Sequence, residues 1–134
     1  MEYIYSEIEP KTLLHLVCRL DKFEGRKNIA PDNEFLQLAA LSMNKGQTFK
    51  PHKHIIFEKS TNIAQESWLV YKGKVKCVFY DLDDTILKEV ILESGDLSMT
   101  FRGGHNYLIL EDDTIVFEYK TGPYLGIEND KKFI

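Results

Sequence analysis

The 134-residue chain predicts an all-β domain, a sandwich or barrel, on three grounds. From Phe35 onward the apolar residues gather in short segments: FLQLAALSM, TFKPHKHIIF, SWLVYKG, VKCVFYDL, ILKEVIL, LSMTF, NYLIL and TIVFEYK. Turn-forming separators divide them, namely NKG, KSTN, KG, DLDDT, ESGD, RGG and EDD. No long helical stripe interrupts the series, which disfavours a parallel sheet with crossover helices.

In chain order, Tyr3, Ile4, Tyr5 and Ile8 suit a short strand or a docking arm. In KTLLHLVCRLDKF, Leu13, Leu16, Val17 and Leu20 recur at i, i+3, i+4 and i+7, which predicts a helix, with Pro10 tolerated near its first turn. The same apolar density would also serve a buried strand. His15 lies beside this stripe and reads as a core or surface histidine rather than a ligand. EGRKNIAPDNE is turn-rich. The chain thus divides into an arm or short helix over 1–34, a β-body over 35–120 and an irregular tail over 121–134, all within one domain.

Composition excludes several classes. At 43% hydrophobic and 28% charged the chain is of globular type, not disordered. With 17 basic against 21 acidic residues, a net charge of −4 and no basic run, nucleic-acid backbone binding is disfavoured. Cys18 and Cys77 are far apart and outside any CxxC pattern, so neither a disulfide framework nor a zinc knuckle is expected. MEYIYSEIEP has neither the basic nor the apolar region of a signal peptide, and no apolar run approaches a membrane span. A cytoplasmic protein without membrane partners is the expectation.

VFYDLDDTIL carries D-x-D-x-T (Asp81, Asp83, Thr85), the nucleophile string of haloacid-dehalogenase-type phosphatases. That chemistry sits at the end of a parallel strand in an α/β sheet. Here about 50 residues follow Thr85, and they read as strands and turns. The phosphatase reading is rejected in favour of a hairpin turn with acidic caps.

Metal chemistry is the stronger signal. On a strand, alternate side chains share a face, so His52 and His54 can enter one cavity together. With a carboxylate and with His105, which follows GDLSMTFRGG, they would suit one divalent first-row metal: iron, manganese, nickel, cobalt or zinc. Barrel histidines can also be plain packing residues. By alternation Trp68 and Val70 share the face of Glu66, and Tyr107 and Ile109 that of His105. Trp68 and Tyr107 are either cavity walls that a sugar ring could stack on or ordinary core. Gln37 and Arg102, like Arg26 and Asn28, are within the range of candidates for contacting a polar or anionic ligand, or else plain surface residues.

The spacing Gly46, five residues, His52-x-His54, then Glu66, six residues and Gly73 resembles the first motif of the cupin superfamily. GDLSMTFRGGH resembles the second, with Phe101 where the family has proline and His105 one residue early. The resemblance implies a jelly-roll double-stranded β-barrel with His52, His54, Glu66 and His105 as metal ligands. Glu58 lies at the commoner distance from His54; Glu66 is preferred because its distance to Gly73 matches and EKSTN reads as loop. From about Arg26 onward the chain is most similar to small WbuC-like cupins of bacterial surface-polysaccharide gene clusters, through FKPHKH, ESWLVYKGKVKCVFYD and VFEYKTGPYLG followed by DKKF. That resemblance implies a homodimer and a small-molecule ligand, a carbohydrate or nucleotide sugar. Two functions stay open: Lewis-acid isomerisation or epimerisation of a sugar, with Tyr107 as the best-placed proton-transfer group, and a non-catalytic binding module. An iron-dependent dioxygenase ranks below both.

Overall fold

A computed structural model describes residues 1–19 and 22–134. Among them ten strands form: β1 (Glu2–Tyr5), β2 (Leu13–Cys18), β3 (Gly25–Asn28), β4 (Ala39–Ser42), β5 (Glu66–Lys72), β6 (Lys74–Tyr80), β7 (Ile86–Glu93), β8 (Leu97–Thr100), β9 (His105–Ile109) and β10 (Ile115–Lys120), followed by one helical turn, α1 (Ile127–Asp130). All pairings are antiparallel. The order β1-β2-β8-β5-β10 makes a five-stranded sheet, β7-β6-β9 a three-stranded one, and β3-β4 a hairpin. The all-β expectation is met, but none of these sheets closes into a barrel.

Two apolar layers lie on either side of the large sheet. Val17 and Val70 face Val75, Cys77, Phe79 and Leu92 of the small sheet, with Ile4 and Val90 at the margin. On the opposite face Leu16, Cys18, Leu97 and Met99 pack under Ile29, Ala30 and Phe101, with Leu36, Leu38 and Ala40. Both cysteines are buried, one in each layer, and burial pushes the Cys77 thiol up to about 12.

The helix expected over KTLLHLVCRLDKF is corrected to a strand. Leu14, His15, Leu16, Val17 and Cys18 are all buried, alternating between the two layers. A strand buried on both faces shows an unbroken apolar run, and a helical repeat can be picked out of such a run by chance. Leu20, the fourth member of the supposed stripe, lies outside the described residues. The first residues form the expected short strand, β1, paired with β2.

TFKPHKHIIF is corrected in the other direction. Residues 43–64 form no strand and lie on the surface, with Phe49, Ile55, Ile56 and Phe57 exposed, Ile55 by 85%. In the tail, α1 replaces part of the irregular segment.

His15 is fully buried against Phe79, ring centroids 4.5 Å apart. The Tyr80 carbonyl, 3.0 Å from Nε2, can only accept, so Nε2 carries the proton and Nδ1 accepts from the Thr100 hydroxyl at 3.1 Å. Gly103 (φ +76°) makes the approach possible, since a Cβ there would sit 2.5 Å from the Tyr80 carbonyl oxygen. Burial lowers the imidazole pKa to about 4, despite the bond to Tyr80. The unfolded chain therefore takes up this proton near pH 6.5 and the folded chain near pH 4. The contribution is complete above pH 6.5 and is lost as the pH falls through that window. Urea unfolding is expected to lose at most about 3 kcal/mol to this group between pH 6.5 and 4. A His15→Gln variant should show a flatter profile over the same range, and an unchanged slope would refute the assignment.

Candidate functional site

Strand register draws a polar row across one end of the large sheet. His15 on β2 is opposite Thr100 on β8, Thr100 opposite Glu66 on β5, and Glu66 opposite Lys120 on β10. The next row runs Val17, Ser98, Trp68 and Glu118. Across from these rows the small sheet presents His105, paired with Phe79, and Tyr107, paired with Cys77. The sandwich is apolar in its middle and polar at this end, where a cavity of about 600 Å³ opens.

Glu66 is its centre. Oε1 accepts from His105 Nε2 at 3.1 Å and from Trp68 Nε1 at 3.0 Å, while the Lys131 ammonium stands 3.9 Å from Oε2. Burial raises the Glu66 pKa, but the bond and charge of His105, with Lys131 and Lys120, outweigh it and hold the carboxyl below its ordinary value. With Nε2 donating to the carboxylate, the other ring nitrogen of His105, Nδ1, is buried and has no hydrogen-bond partner among the described residues. Trp68 lies flat on Tyr107, centroids 3.9 Å apart and planes at 8°, and its N–H also reaches Glu118 at 3.2 Å.

The sequence-predicted residues divide. Glu66, His105, Trp68, Tyr107 and Arg102 all line the cavity. Tyr107 turns its hydroxyl toward Ser98 at 3.0 Å, and burial holds its phenol well above the ordinary value, so it is poorly placed to move a ligand's proton. Arg102 borders the cavity, yet its guanidinium donates to Glu34 at 2.8 Å and to the Leu13 carbonyl at 3.3 Å. Gln37 is not in the cavity: its amide donates to the Pro31 and Glu34 carbonyls in the loop before β4. Arg26 bonds Asn28 on the exposed hairpin.

His52 and His54 stand apart from Glu66 and His105. They are exposed on the 43–64 segment, ring centroids 5.6 Å apart, and His52 Nδ1 is 2.9 Å from the Lys50 carbonyl. Glu58 is exposed on the same segment. As a test of a metal, half of the expected donor set fits. Glu66 and His105 supply oxygen and nitrogen at contact distance, one nitrogen still unpartnered. The strand that was to carry the other two imidazoles is absent, and no group of three donors converges among the described residues.

Lys131 was not singled out from the sequence as a site residue. Only the DKKF ending pointed to its segment; the fold back over the cavity is a tertiary fact. Ile134 lies against Gly104, where a Cβ would come within 2.7 Å of its Cδ1, and Asp130, Lys132 and Phe133 complete this wall.

Comparison with protein-family models, curated proteins and solved structures returned no match.

The D-x-D-x-T string also finds its place. Asp81 is buried and accepts from the Ser6 hydroxyl at 2.6 Å and from the backbone N–H groups of Glu7 and Leu82 at 2.7 Å each. Burial alone would raise its pKa, but these donors outweigh burial and hold the carboxyl below its usual value. The carboxylate clasps the N-terminal strand to the β6–β7 turn and is not presented for attack on phosphorus. Asp81→Asn is expected to lower the urea midpoint while leaving Trp68 fluorescence of the folded protein unchanged. Loss of a phosphatase activity in that variant would instead restore the rejected reading.

Proposed function

We propose that this chain is a metal-binding jelly-roll protein of cupin type whose cavity holds a sugar or nucleotide sugar. The observation that carries the reading is the meeting of Glu66 and His105, from different sheets, at 3.1 Å in a cavity beside the edge strand β9. In the proposed state the 48–57 segment adds to the free edge of β9. Its β-formers, now exposed, gain partners there, and alternation puts His52 and His54 on one face. The open edge and the unburied apolar segment support that step, since each leaves hydrogen-bonding or apolar surface unsatisfied.

His52, His54, Glu66 and His105 would then hold the ion, which supplies Lewis acidity toward a carbonyl or hydroxyl oxygen. The residues themselves have definable tasks. Glu66 fixes the His105 ring through Nε2, and Trp68 fixes Glu66 through its indole N–H. Catalytic isomerisation or epimerisation is the first reading, in surface-polysaccharide assembly and as a homodimer, on the strength of the WbuC-like resemblance. A non-catalytic binding module is the second, favoured by the inward turn of the Tyr107 hydroxyl.

Elemental analysis of untagged protein should find near-stoichiometric metal, lost in the His52→Ala, His54→Ala double variant and weakened tenfold or more in Glu66→Gln. Metal retained in the double variant, or never bound, would sink the ligand set. Hydrogen exchange should show the amides of residues 48–57 slowed by the metal; binding without that protection would disprove the docking step. Metal-dependent turnover of a nucleotide sugar would select the enzyme, and binding without turnover the module.

A further inference from the structure

Four cationic side chains lie in or beside this cavity, and they are not equivalent. Arg102 is committed to Glu34 and the Leu13 carbonyl. Lys120, opposite Glu66 in the sheet but outside the cavity lining, donates to Asp130 at 3.0 Å and lies 4.1 Å over the Tyr124 ring. Lys132 borders the cavity and, among the described residues, has neither a hydrogen bond nor an ion pair, with Glu66 or with any other group. Lys131 is set apart from Arg102 and Lys120 by having no acceptor, and from Lys132 by standing beside Glu66. Its ammonium is 3.9 Å from Glu66 Oε2, close enough for charge attraction and too far for a hydrogen bond. Among the described residues no acceptor takes any of its three N–H donors.

Its backbone is nevertheless held. The Lys131 N–H donates to the Ile127 carbonyl at 3.0 Å, the preceding residue is tied to Lys120, and Ile134 seats against Gly104. A fixed backbone with an uncommitted cation aimed at a polar cavity is a recognition element, because little ordering entropy remains to be lost when an anion arrives. Glu66, the carboxylate within 4 Å of the Lys131 ammonium among the described residues, takes its hydrogen bonds from His105 and Trp68 and none from Lys131.

We propose that Lys131 is the anion-recognition residue of this cavity, and that the ligand carries a phosphate or carboxylate group. The inference rests on the cavity being the ligand site, and it adds a charge class that the metal reading leaves open. It also fixes a sign. An ammonium beside Glu66 opposes a cation there and favours an anion, so removing it must move the two affinities in opposite directions.

The test uses three probes with one ring and different charge: glucose 1-phosphate, glucuronate and glucose. Each is titrated into the full chain by calorimetry and by fluorescence of Trp68, the chain's single tryptophan, which lines the cavity. Both anions are expected to bind about tenfold tighter than glucose, an advantage of the size of one charge-assisted hydrogen bond. The tighter of the two identifies the anion as phosphate or carboxylate. Lys131→Gln should abolish the advantage while metal content stays equal or rises; Lys27→Gln, on the exposed β3, should change neither. Equal binding of glucose, an anion preference that survives in Lys131→Gln, joint loss of metal and anion binding in that variant, or no binding of any probe would each overturn the proposal. A natural chain that lacks metal yet keeps a Lys131-dependent preference would refute the metal reading and leave this one standing.

Discussion

The strand Leu97–Thr100 lies between β2 and β5 and is buried on both faces, so its four residues must satisfy two environments at once. Leu97 and Met99 go to one apolar layer; Ser98 and Thr100 go to the other side, where the polar end of the sandwich begins. A slip of one residue would exchange these faces, burying two hydroxyls in the apolar layer and driving a leucine and a methionine into the polar rows. Register at this strand therefore determines everything beside it: which imidazole meets Thr100, which carboxylate stands opposite, and which tyrosine reaches Ser98. The candidate site is a by-product of that register, extended by one strand on each side.

Much of this was legible because the physics was local. The segments from SWLVYKG to TIVFEYK became β5 to β10, since alternating residues separated by turn formers leave few other options. Alternation put Trp68 on the face of Glu66 and Tyr107 on that of His105, the family resemblance joined the two pairs, and all four line one cavity. What failed was decided elsewhere in the chain. β2 was misread because burial on both faces erases the period that distinguishes strand from helix. The 48–57 segment has strand composition, but a strand also needs a neighbour, and composition does not supply one. Gln37 and Arg102 were reasonable polar candidates whose hydrogen bonds went to Pro31, Glu34 and Leu13, partners that no motif encodes.

The polar end also shows why charge counting along the chain says little about a site. The chain is net acidic, yet Glu66 is surrounded by one imidazole, one indole N–H and two ammonium groups, and its pKa falls in spite of its burial. At the end of the same row, His15 is kept neutral by deeper burial with both nitrogens satisfied. Two ionisable groups, one strand apart on either side of Thr100, are thus set to opposite purposes, one retaining its charge and the other giving it up.

The placement of Cys18 and Cys77 has a practical consequence. Each apolar layer contains one thiol and no disulfide links them, so each layer holds its own chemical clock. A thiol reagent can reach Cys77 only when the two sheets part, and Cys18 only when the β3–β4 hairpin with its connecting loop lifts from the large sheet. Equal labelling rates would mean that the molecule opens as one cooperative unit. Unequal rates would mean that the cover and the sandwich breathe separately, and would say which of them yields first.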